Sequence, residues 1–471
     1  MFRIQPPLEF IPPKFNPLVL RLVHLSLPLL LRVRLLRGLP VGITRLETKN
    51  VEVLVELYRQ FQAGKIRFLI AFRHCEADDP LCGLYLLSKA VPQVAHQQGI
   101  ALQTPIHAHC LYDRGIPLWT KHWFGWLLSC LGAIPVRRGR RLDWAGMRTA
   151  RELFINGKLP MALAPEGATN GHSEIVSPLE SGVAQLGFWC VEDLIKAKRS
   201  EQVFIVPIGI KYRYLKPSWR KLDWLLSQLE VDSGLPVKPL PGKYVGIDKE
   251  TFYYQRLRRL GEHLLSTMEK FYSQYYDQKL PKATAIDGDK SVSPEEVITT
   301  RLQAVLNGAL QVAEEYFGLP GKGTVIKRCR QLEEASWTYI YREDWSQLHN
   351  SSVMERSLAD WIVQETICRI QHMRLVESFV AVTGDYILEK PTFERFAETA
   401  LILFDLIAHI KNTSKIPRRP RLGQRCAKLT VGEPILLNDR FGDYQENRQA
   451  AKQEITNLTQ DLHRALEQMI S

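Results

Sequence analysis

The stretch of sequence that decides the fold of this chain is Phe68-Leu69-Ile70-Ala71-Phe72-Arg73-His74-Cys75-Glu76-Ala77-Asp78-Asp79-Pro80. The apolar run from Ile66 to Phe72 predicts a buried β-strand. Asp79 before Pro80 predicts a helix start, because aspartate caps helix N-termini and proline favours the first helical position. A strand end followed by a helix start brings His74 close to Asp79, which predicts a general base with its orienting acid. An ordinary turn histidine beside a capping aspartate is the alternative.

Further apolar strands alternate with helices up to about residue 210. The sequence predicts strands within 100–111, 132–136, 159–163 and 202–210, and helices at 81–94, 144–156 and 182–196. This alternation indicates an α/β layer, in which active loops lie at the carboxyl ends of the strands. One such loop follows the predicted strand at 159–163, and another follows the predicted strand at 132–136. Pro165-Glu166-Gly167 opens a loop of small residues whose N–H groups suit an anion, although it is also a common turn sequence.

A cluster of arginines follows the predicted strand at 132–136. Four of the five residues from Arg137 to Arg141 are arginines. Because a guanidinium holds phosphate oxygens bidentately, the cluster is a candidate phosphate clamp. A solvated charge run and a nucleic-acid patch are the alternatives.

The character of the chain changes after about residue 214. Residues 215–250 contain several Pro and Gly and are predicted to be a linker. Helical apolar spacing then predicts a bundle from segments 252–278, 294–317, 325–343, 354–383 and 392–411. Two short strands return at 426–437, and an amphipathic helix is predicted from about 444 to 470.

Composition narrows the partners of the protein. The 471 residues allow two or three domains, and 62 Lys and Arg against 50 Asp and Glu give a formal charge of +12. This charge favours anionic partners such as phosphate head groups, an anionic membrane or nucleic acid. The eight scattered cysteines predict reduced thiols in a cytoplasmic protein. His107, His109 and Cys110 lie close together, but no second cluster with ligand spacing accompanies them, so no metal is predicted.

The N-terminal region combines apolar residues with arginines. No stretch reaches the roughly 18 to 20 uninterrupted apolar residues of a spanning helix. Between Leu18 and Leu36, Arg21, Arg32 and Arg34 interrupt a Leu- and Val-rich segment. This pattern favours an interfacial helix on an anionic leaflet, and hence a peripheral or monotopic protein at the cytoplasmic membrane surface. A basic helix packed on the body of the protein is the alternative.

Four motifs follow one another along the chain: His74-x4-Asp79, Gly132-x-Ile134-x-Val136-x-Arg138, Pro165-Glu166-Gly167 and Val206-Pro207-Ile208. In this order they resemble the motifs of the glycerolipid acyltransferase superfamily, which includes the lysophosphatidate and glycerol-3-phosphate acyltransferases. The resemblance covers about residues 65–210. Val431-Gly432-Glu433-Pro434-Ile435 looks like the closing strand of that family.

The resemblance implies an α/β fold with a mixed sheet, interrupted by a large all-helical insertion. We therefore expect a membrane-interfacial segment at 1–48, an acyltransferase core at 49–215, a linker and helical insertion at 216–420, and closing strands with a C-terminal helix at 421–471. The implied function is O-acyl transfer from an acyl thioester to a hydroxyl of a lysophospholipid or glycerol phosphate.

The resemblance also implies roles for individual residues. His74 corresponds to the general base and Asp79 to its orienting acid. The residues that correspond to the acceptor-phosphate site are Arg138, Glu166 and Gly167. Pro207 corresponds to the acyl site. The implied donor is acyl-coenzyme A or acyl carrier protein, with no cofactor and no metal. The implied partners are the lipid acceptor, the thioester donor and an anionic membrane surface, and not nucleic acid.

The sequence departs from the family pattern in three places. Glu76 stands where a small polar residue is usual, Ala168-Thr169-Asn170 replaces Thr-Arg-Ser, and Arg137 replaces an acidic or polar residue. A lysolipid or glycolipid acceptor other than lysophosphatidate therefore stays open. So does a non-catalytic lipid-binding or membrane scaffold protein on the same fold.

Overall fold

The computed structural model describes residues 3–32, 42–115, 122–137, 143–237, 248–281, 293–377, 379, 385–411 and 419–470. These residues form two compact units. The sheet unit takes its described residues from 10–137, 143–216 and 423–470, and the helical unit from 3–9 and 217–422. Arg138, which is predicted to bind the acceptor phosphate, lies outside the described residues.

The sheet unit contains one eight-stranded sheet in the order β1-β7-β6-β2-β5-β3-β4, with β8 pairing β6. Its strands are β1 (Ile43–Lys49), β2 (Ile66–Phe72), β3 (His109–Asp113), β4 (Ile134–Val136), β5 (Met161–Leu163), β6 (Gln202–Pro217), β7 (Gly423–Val431) and β8 (Ile435–Leu436). Strand β2 runs parallel to both β5 and β6, whereas β8 runs antiparallel to β6.

Strand β7 also runs antiparallel to β6. The Gly432 N–H donates to the Pro207 carbonyl over 2.9 Å at one end of the pair. At the other end Gly423 lies so close to Lys216 that an added Cβ would meet its carbonyl oxygen at 2.6 Å. The sheet is therefore mixed, which confirms the predicted fold class.

Along the described residues, the helices are numbered α1 to α17 in chain order. The first seven are α1 (Pro17–Leu30), α2 (Val51–Gln62), α3 (Asp79–Tyr85), α4 (Val91–Gln97), α5 (His122–Cys130), α6 (Trp144–Asn156) and α7 (Gly182–Lys196), with a π-helical turn (Leu86–Ala90) joining α3 to α4. The helical unit contains α8 (Trp219–Asp232), α9 (Lys249–Tyr276), α10 (Pro294–Phe317), α11 (Val325–Ile340), α12 (Trp345–His349), α13 (Val353–Glu377), α14 (Tyr386–Glu389) and α15 (Phe393–Lys411). The last two are α16 (Phe441–Glu446) and α17 (Arg448–Ile470).

Strand β2 is buried on both faces. Successive side chains of a strand point to opposite faces, so Phe68 and Ile70 enter one hydrophobic cluster whereas Leu69 and Ala71 enter another. Side chains of α2, α3 and α4 complete the first cluster, and those of α6, α7 and α17 complete the second. Burying one large apolar side chain contributes about 1.5–3 kcal/mol. Helices on both faces therefore hold β2 at the centre of the sheet unit.

The prediction of a linker at 215–250 was wrong over much of its length. Strand β6 continues to Pro217, and α8 follows at once. The buried residues Leu222, Leu225, Leu226 and Leu229 show the spacing of one helical face. The Pro and Gly residues on both sides of α8 are typical of a linker, which is why the sequence predicted no helix there.

The N-terminal segment also differs from its prediction. Helix α1 begins after Asn16, whose side chain accepts from the Leu18 N–H over 2.9 Å. Residues 43–48, predicted to belong to the membrane-interfacial segment, instead lie in β1, which pairs in parallel with β7. Among the described residues, no helix has both the length and the apolar character to cross a bilayer.

Candidate active site

Two loops meet at the carboxyl edge of the sheet. Strands β2 and β5 are parallel neighbours, with Ala71 opposite Leu163. Parallel neighbours end at the same edge, so the loop that begins at Arg73 meets the loop that contains Glu166. The first and third sequence motifs therefore come together, as expected for an α/β active site.

The side chains of His74 and Asp79 are in contact. His74 Nδ1 lies 3.1 Å from Asp79 Oδ2. Because a carboxylate oxygen accepts, this distance fits an Nδ1–H donor and leaves Nε2 without its proton. The imidazole is 24% exposed, whereas the Asp79 side chain is 0% exposed. A half-buried base beside a buried acid can take a proton from a hydroxyl group that enters from solvent.

Asp79 does not cap the helix as predicted. Helix α3 begins at Asp79 itself, and Asp78 occupies the N-cap position without a side-chain cap bond. Asp79 Oδ2 accepts the Glu76 N–H over 2.8 Å, and Oδ1 accepts the Tyr212 O–H over 2.6 Å. Burial, together with the charge of Asp79, raises the pKa of Tyr212, which keeps the phenol protonated as a donor.

Glu166 holds the backbone of the loop that carries His74. Its Oε1 accepts the His74 N–H over 2.8 Å, and its Oε2 accepts the Ser177 N–H over 2.9 Å. Asn170, one of the three departures in the third motif, donates to the Ile175 carbonyl over 2.7 Å and lies 3.4 Å from Glu166 Oε2. The Glu166 carboxylate therefore faces donors of the protein, and its predicted part in acceptor binding stays a prediction.

Arg73 connects the same two loops through buried contacts of its side chain. The side chain is fully buried, and its Nε lies 3.9 Å from Glu166 Oε1. The Gly171 N–H donates to the Cys75 carbonyl over 3.0 Å. The Arg73 guanidinium donates to the backbone carbonyls of His172, Ser173, Ile175 and Ile210. These bonds fix the loop of residues 166–177 against the loop of residues 73–79.

Glu76, which lies between His74 and Asp79 in the chain, is paired with an arginine. Arg425, in β7, places Nη1 at 3.3 Å from Glu76 Oε1 and donates through Nη2 to Asp78 Oδ2 over 2.6 Å. Its guanidinium also stacks on the Tyr212 ring, 4.8 Å from the centroid. Burial opposes the charge of Arg425, but Glu76 and Asp78 outweigh it and raise the pKa of the guanidinium.

The other predicted site residues lie near the same edge. Gly167 adopts a positive φ of 71° directly after Glu166. Pro207 lies within β6 opposite Ala71 of β2, and its carbonyl accepts the Gly432 N–H. Arg137, which departs from the family pattern and precedes the predicted Arg138, follows β4, and its N–H donates to Asp143 Oδ2 over 2.7 Å.

The histidines and cysteines considered for metal binding have other roles. His107 Nε2 and His109 Nδ1 each lie 2.9 Å from a backbone carbonyl, of Leu131 and Gly132 respectively. Burial, together with the charge of Asp79, raises the pKa of the Cys75 thiol, so this neighbour of His74 is not a thiolate nucleophile. Within the described parts of the chain, no three potential ligands form a metal-binding group.

Three residues of the site were missed in the sequence interpretation. Arg73 gave a weak signal, because a charged residue directly follows a mostly apolar strand. The sequence gives no signal for Tyr212 or Arg425, because contacts between distant parts of a chain leave no local pattern. Arg425 is 347 residues away from Asp78 along the chain. Only the closure of the sheet brings these side chains to the loop.

Comparison with known proteins agrees with the resemblance over part of the chain. Residues 114–211 match the family model described as Acyltransferase. No curated protein and no solved structure matches the sequence. The matched stretch includes β4, β5 and most of β6, and it supports an acyltransferase activity in lipid metabolism. His74 and Asp79 lie before it, so their assignment depends on their geometry and their spacing.

Proposed function

We propose that this chain, which carries an acyltransferase-family segment at residues 114–211, transfers a fatty acyl group from a thioester to a glycerolipid hydroxyl. The acceptor is a lysophospholipid or glycerol phosphate, and the donor is acyl-coenzyme A or acyl carrier protein. The observation that carries the proposal is the contact of 3.1 Å between His74 Nδ1 and the buried Asp79 carboxylate, with the imidazole still partly exposed.

His74 acts as the general base of this reaction. Its Nε2 takes the proton of the acceptor hydroxyl while the hydroxyl oxygen attacks the thioester carbonyl carbon. The tetrahedral intermediate then breaks its C–S bond, and the departing thiolate takes the proton from the imidazolium and leaves as a thiol. Asp79 fixes the tautomer and stabilises the imidazolium, as the aspartate of a serine-protease triad does. The substrate hydroxyl replaces the serine, so no enzyme nucleophile is required.

The acceptor phosphate binds at the carboxyl edge of the sheet. The arginines that follow β4 supply bidentate donors for it, with Arg138 in the position of the family motif. Gly167 and Glu166 shape the opposite loop, and Pro207 belongs to the acyl site. Since Glu76 is paired with Arg425, its carboxylate is not free to repel an anionic acceptor.

The sheet unit binds an anionic membrane surface through α1 and α5. One stripe of α1 exposes leucines at helical spacing, and α5, which packs against α1, exposes two tryptophans. The stripe consists of Leu18, Leu22, Leu25 and Leu29, and the tryptophans are Trp123 and Trp126. Exposed Arg21 lies on the same side of α1. Leucines that enter the acyl boundary beside tryptophans and a cation suit an interfacial helix, which supports the proposed binding at the cytoplasmic membrane face.

A substrate panel tests the proposed reaction. Purified protein is mixed with labelled acyl-coenzyme A or acyl carrier protein and, in turn, with glycerol 3-phosphate and with lysolipids that differ in head group. We expect one acceptor class to yield a product whose mass increases by one acyl group, with release of one thiol. Formation of no ester by any donor and acceptor pair, despite vesicle binding, would contradict the proposal and favour a non-catalytic lipid-binding protein.

A further inference from the structure

Arg425 connects the last long strand of the sheet to the catalytic loop. Its backbone N–H donates to the Gly42 carbonyl over 3.1 Å, which fixes the residue at the start of β7. From there the guanidinium reaches both Glu76 and Asp78, the two acidic residues between His74 and Asp79. One cation therefore spans the whole loop that separates the base from its acid.

Tyr212 connects this cation to the acid itself. Different parts of the side chain make the two contacts. The ring stacks beneath Arg425, and the hydroxyl donates to Asp79 Oδ1 over 2.6 Å. The backbone of Tyr212 is also held, since its N–H donates to Ser173 Oγ over 2.6 Å. With Oδ1 fixed by the phenol, Oδ2 is the oxygen that faces His74.

We propose that Arg425 and Tyr212 are positioning residues for the His74–Asp79 pair. Arg425 shapes the loop through Glu76 and Asp78 and holds the Tyr212 ring, and Tyr212 sets the rotation of the Asp79 carboxylate. The inference rests on the proposed function, because it assigns both residues to the reaction of that pair. Neither residue touches the reacting atoms, so each acts on turnover through Asp79.

The charge balance gives a reason for this arrangement. Glu76, Asp78 and Asp79 lie within four residues and are all buried. Three buried carboxylates without a cation would repel one another, and repulsion of this kind opens a loop or draws in protons. Arg425 offsets the charge of two of them, which leaves Asp79 to interact with the imidazole.

Replacing Tyr212 by phenylalanine isolates the hydroxyl. Y212F keeps the ring under Arg425 and removes the hydroxyl, which donates to Asp79 Oδ1 and also lies 3.5 Å from Cys82 Sγ. We expect kcat to fall about tenfold, the usual effect of losing one hydrogen bond to a charged group, with KM for donor and acceptor changed less than about twofold. The matched control is Y58F, because the buried Tyr58 hydroxyl donates to the His107 carbonyl over 3.0 Å, away from the pair. Y58F should leave kcat unchanged while lowering the midpoint of thermal unfolding.

Replacing Arg425 by lysine tests the bridge. R425K keeps the charge but loses the fork that reaches both carboxylates, so kcat should fall while KM is retained. R256K is the control, because buried Arg256 in the helical unit also joins two carboxylates, Glu230 and Asp223. R256K should lose stability without losing kcat.

The double variant Y212F/R425K distinguishes positioning from general loss of stability. If both residues act through Asp79, the double variant should lose less kcat than the product of the two single losses, because the first substitution already frees the carboxylate. Wild-type kcat in Y212F and R425K, in a protein that H74A inactivates, would overturn the inference and leave the proposed function standing. Equal activity of H74A and wild type would overturn both.

Discussion

Three contacts hold His74 in place, one at its backbone and two at its imidazole. The Glu166 carboxylate holds its backbone N–H, the Asp79 carboxylate faces Nδ1, and the Phe72 ring meets the imidazole edge-on with the centroids 6.2 Å apart. In the proposed reaction, a base held in this way would lose little freedom when substrate binds, which is how positioned groups lower a barrier. Only Nε2 is left for the substrate hydroxyl.

Gly167 is a residue at which a side chain would meet an obstacle. A Cβ added there would lie 2.2 Å from Glu180 Oε1, at a φ of 71° that side chains avoid. Gly64 has the same φ of 71° with nothing within 4 Å of an added Cβ. We expect G167A to lower the free energy of unfolding by about 1 kcal/mol more than G64A, because Glu180 must also move. Urea unfolding of both variants measures the difference, and equal losses would contradict the close approach.

The contact between His74 and Asp79 was predictable because its geometry is local. A strand, a turn and a helix start are specified within 15 residues from Ile66 to Pro80, so the spacing alone brings His74 to Asp79. The partners of Glu76 and Asp79 were not predictable in the same way. Arg425 and Tyr212 come from strands whose neighbours only the finished sheet decides.

At the scale of elements, burial explains which predictions succeeded. The predicted bounds of β2, α6, α7 and α10 agree with the structure, because each carries a clear apolar period between Gly, Asp, Ser or Pro residues. Strand β1 was missed since its sequence, ITRLETK, is mostly polar, as expected for a strand at the edge of the sheet. Helix α8 was missed because proline and glycine flank it.

Helix α1 is the element on which membrane binding is predicted to depend. Its buried Leu20 and Leu27 face the protein, whereas Leu22 and Leu25 are 66% and 77% exposed. L22E/L25E should weaken binding to anionic vesicles at least about tenfold, because two leucines lose their place in the acyl region and two negative charges are added. Sedimentation with vesicles gives the partition coefficient.

The control for this prediction lies in the helical unit. Met354 and Leu358 of α13 are 73% and 49% exposed, so M354E/L358E makes the same chemical change on another helix. We expect this variant to bind vesicles as the wild type does. Equal losses in the two double variants would show that α1 is not the specific docking element.

At the scale of the whole molecule, the sheet is built from distant parts of the chain. Residues 217–422 belong to the helical unit and separate β6 from its neighbour β7. Pairing across this connection requires loop closure, whose entropy cost grows only slowly with the length of the connection. Since β7 carries Arg425, Glu76 and Asp78 receive their cation only after the chain has returned to the sheet.

Buried histidines predict how stability depends on pH. Burial lowers the pKa of His107 in the sheet unit to about 4, and burial, followed by the charge of Arg369, lowers that of His372 in the helical unit to about 4. An unfolded histidine titrates near 6.5, so the unfolded state binds protons first as pH falls. Stability is therefore fully present above about pH 6.5 and is lost as pH falls towards about 4, by up to about 3 kcal/mol per histidine.

Urea unfolding between about pH 7 and pH 5 tests this dependence on both units. H372Q should flatten the pH dependence of the helical unit, because glutamine does not titrate there. H96Q is the control, since His96 is exposed on α4 and should leave the dependence unchanged. Stability that rises as pH falls through this range would contradict the prediction.

The most direct test of the central claim is the rate of acyl transfer by H74A, measured beside the wild type and H96A with the acceptor that the substrate panel identifies. General-base catalysis typically contributes about 10²–10⁴-fold, so H74A should lose activity by that factor. H96A should keep it, and all three proteins should bind anionic vesicles equally. Transfer by H74A within about tenfold of the wild-type rate would contradict the assignment of His74 as the base.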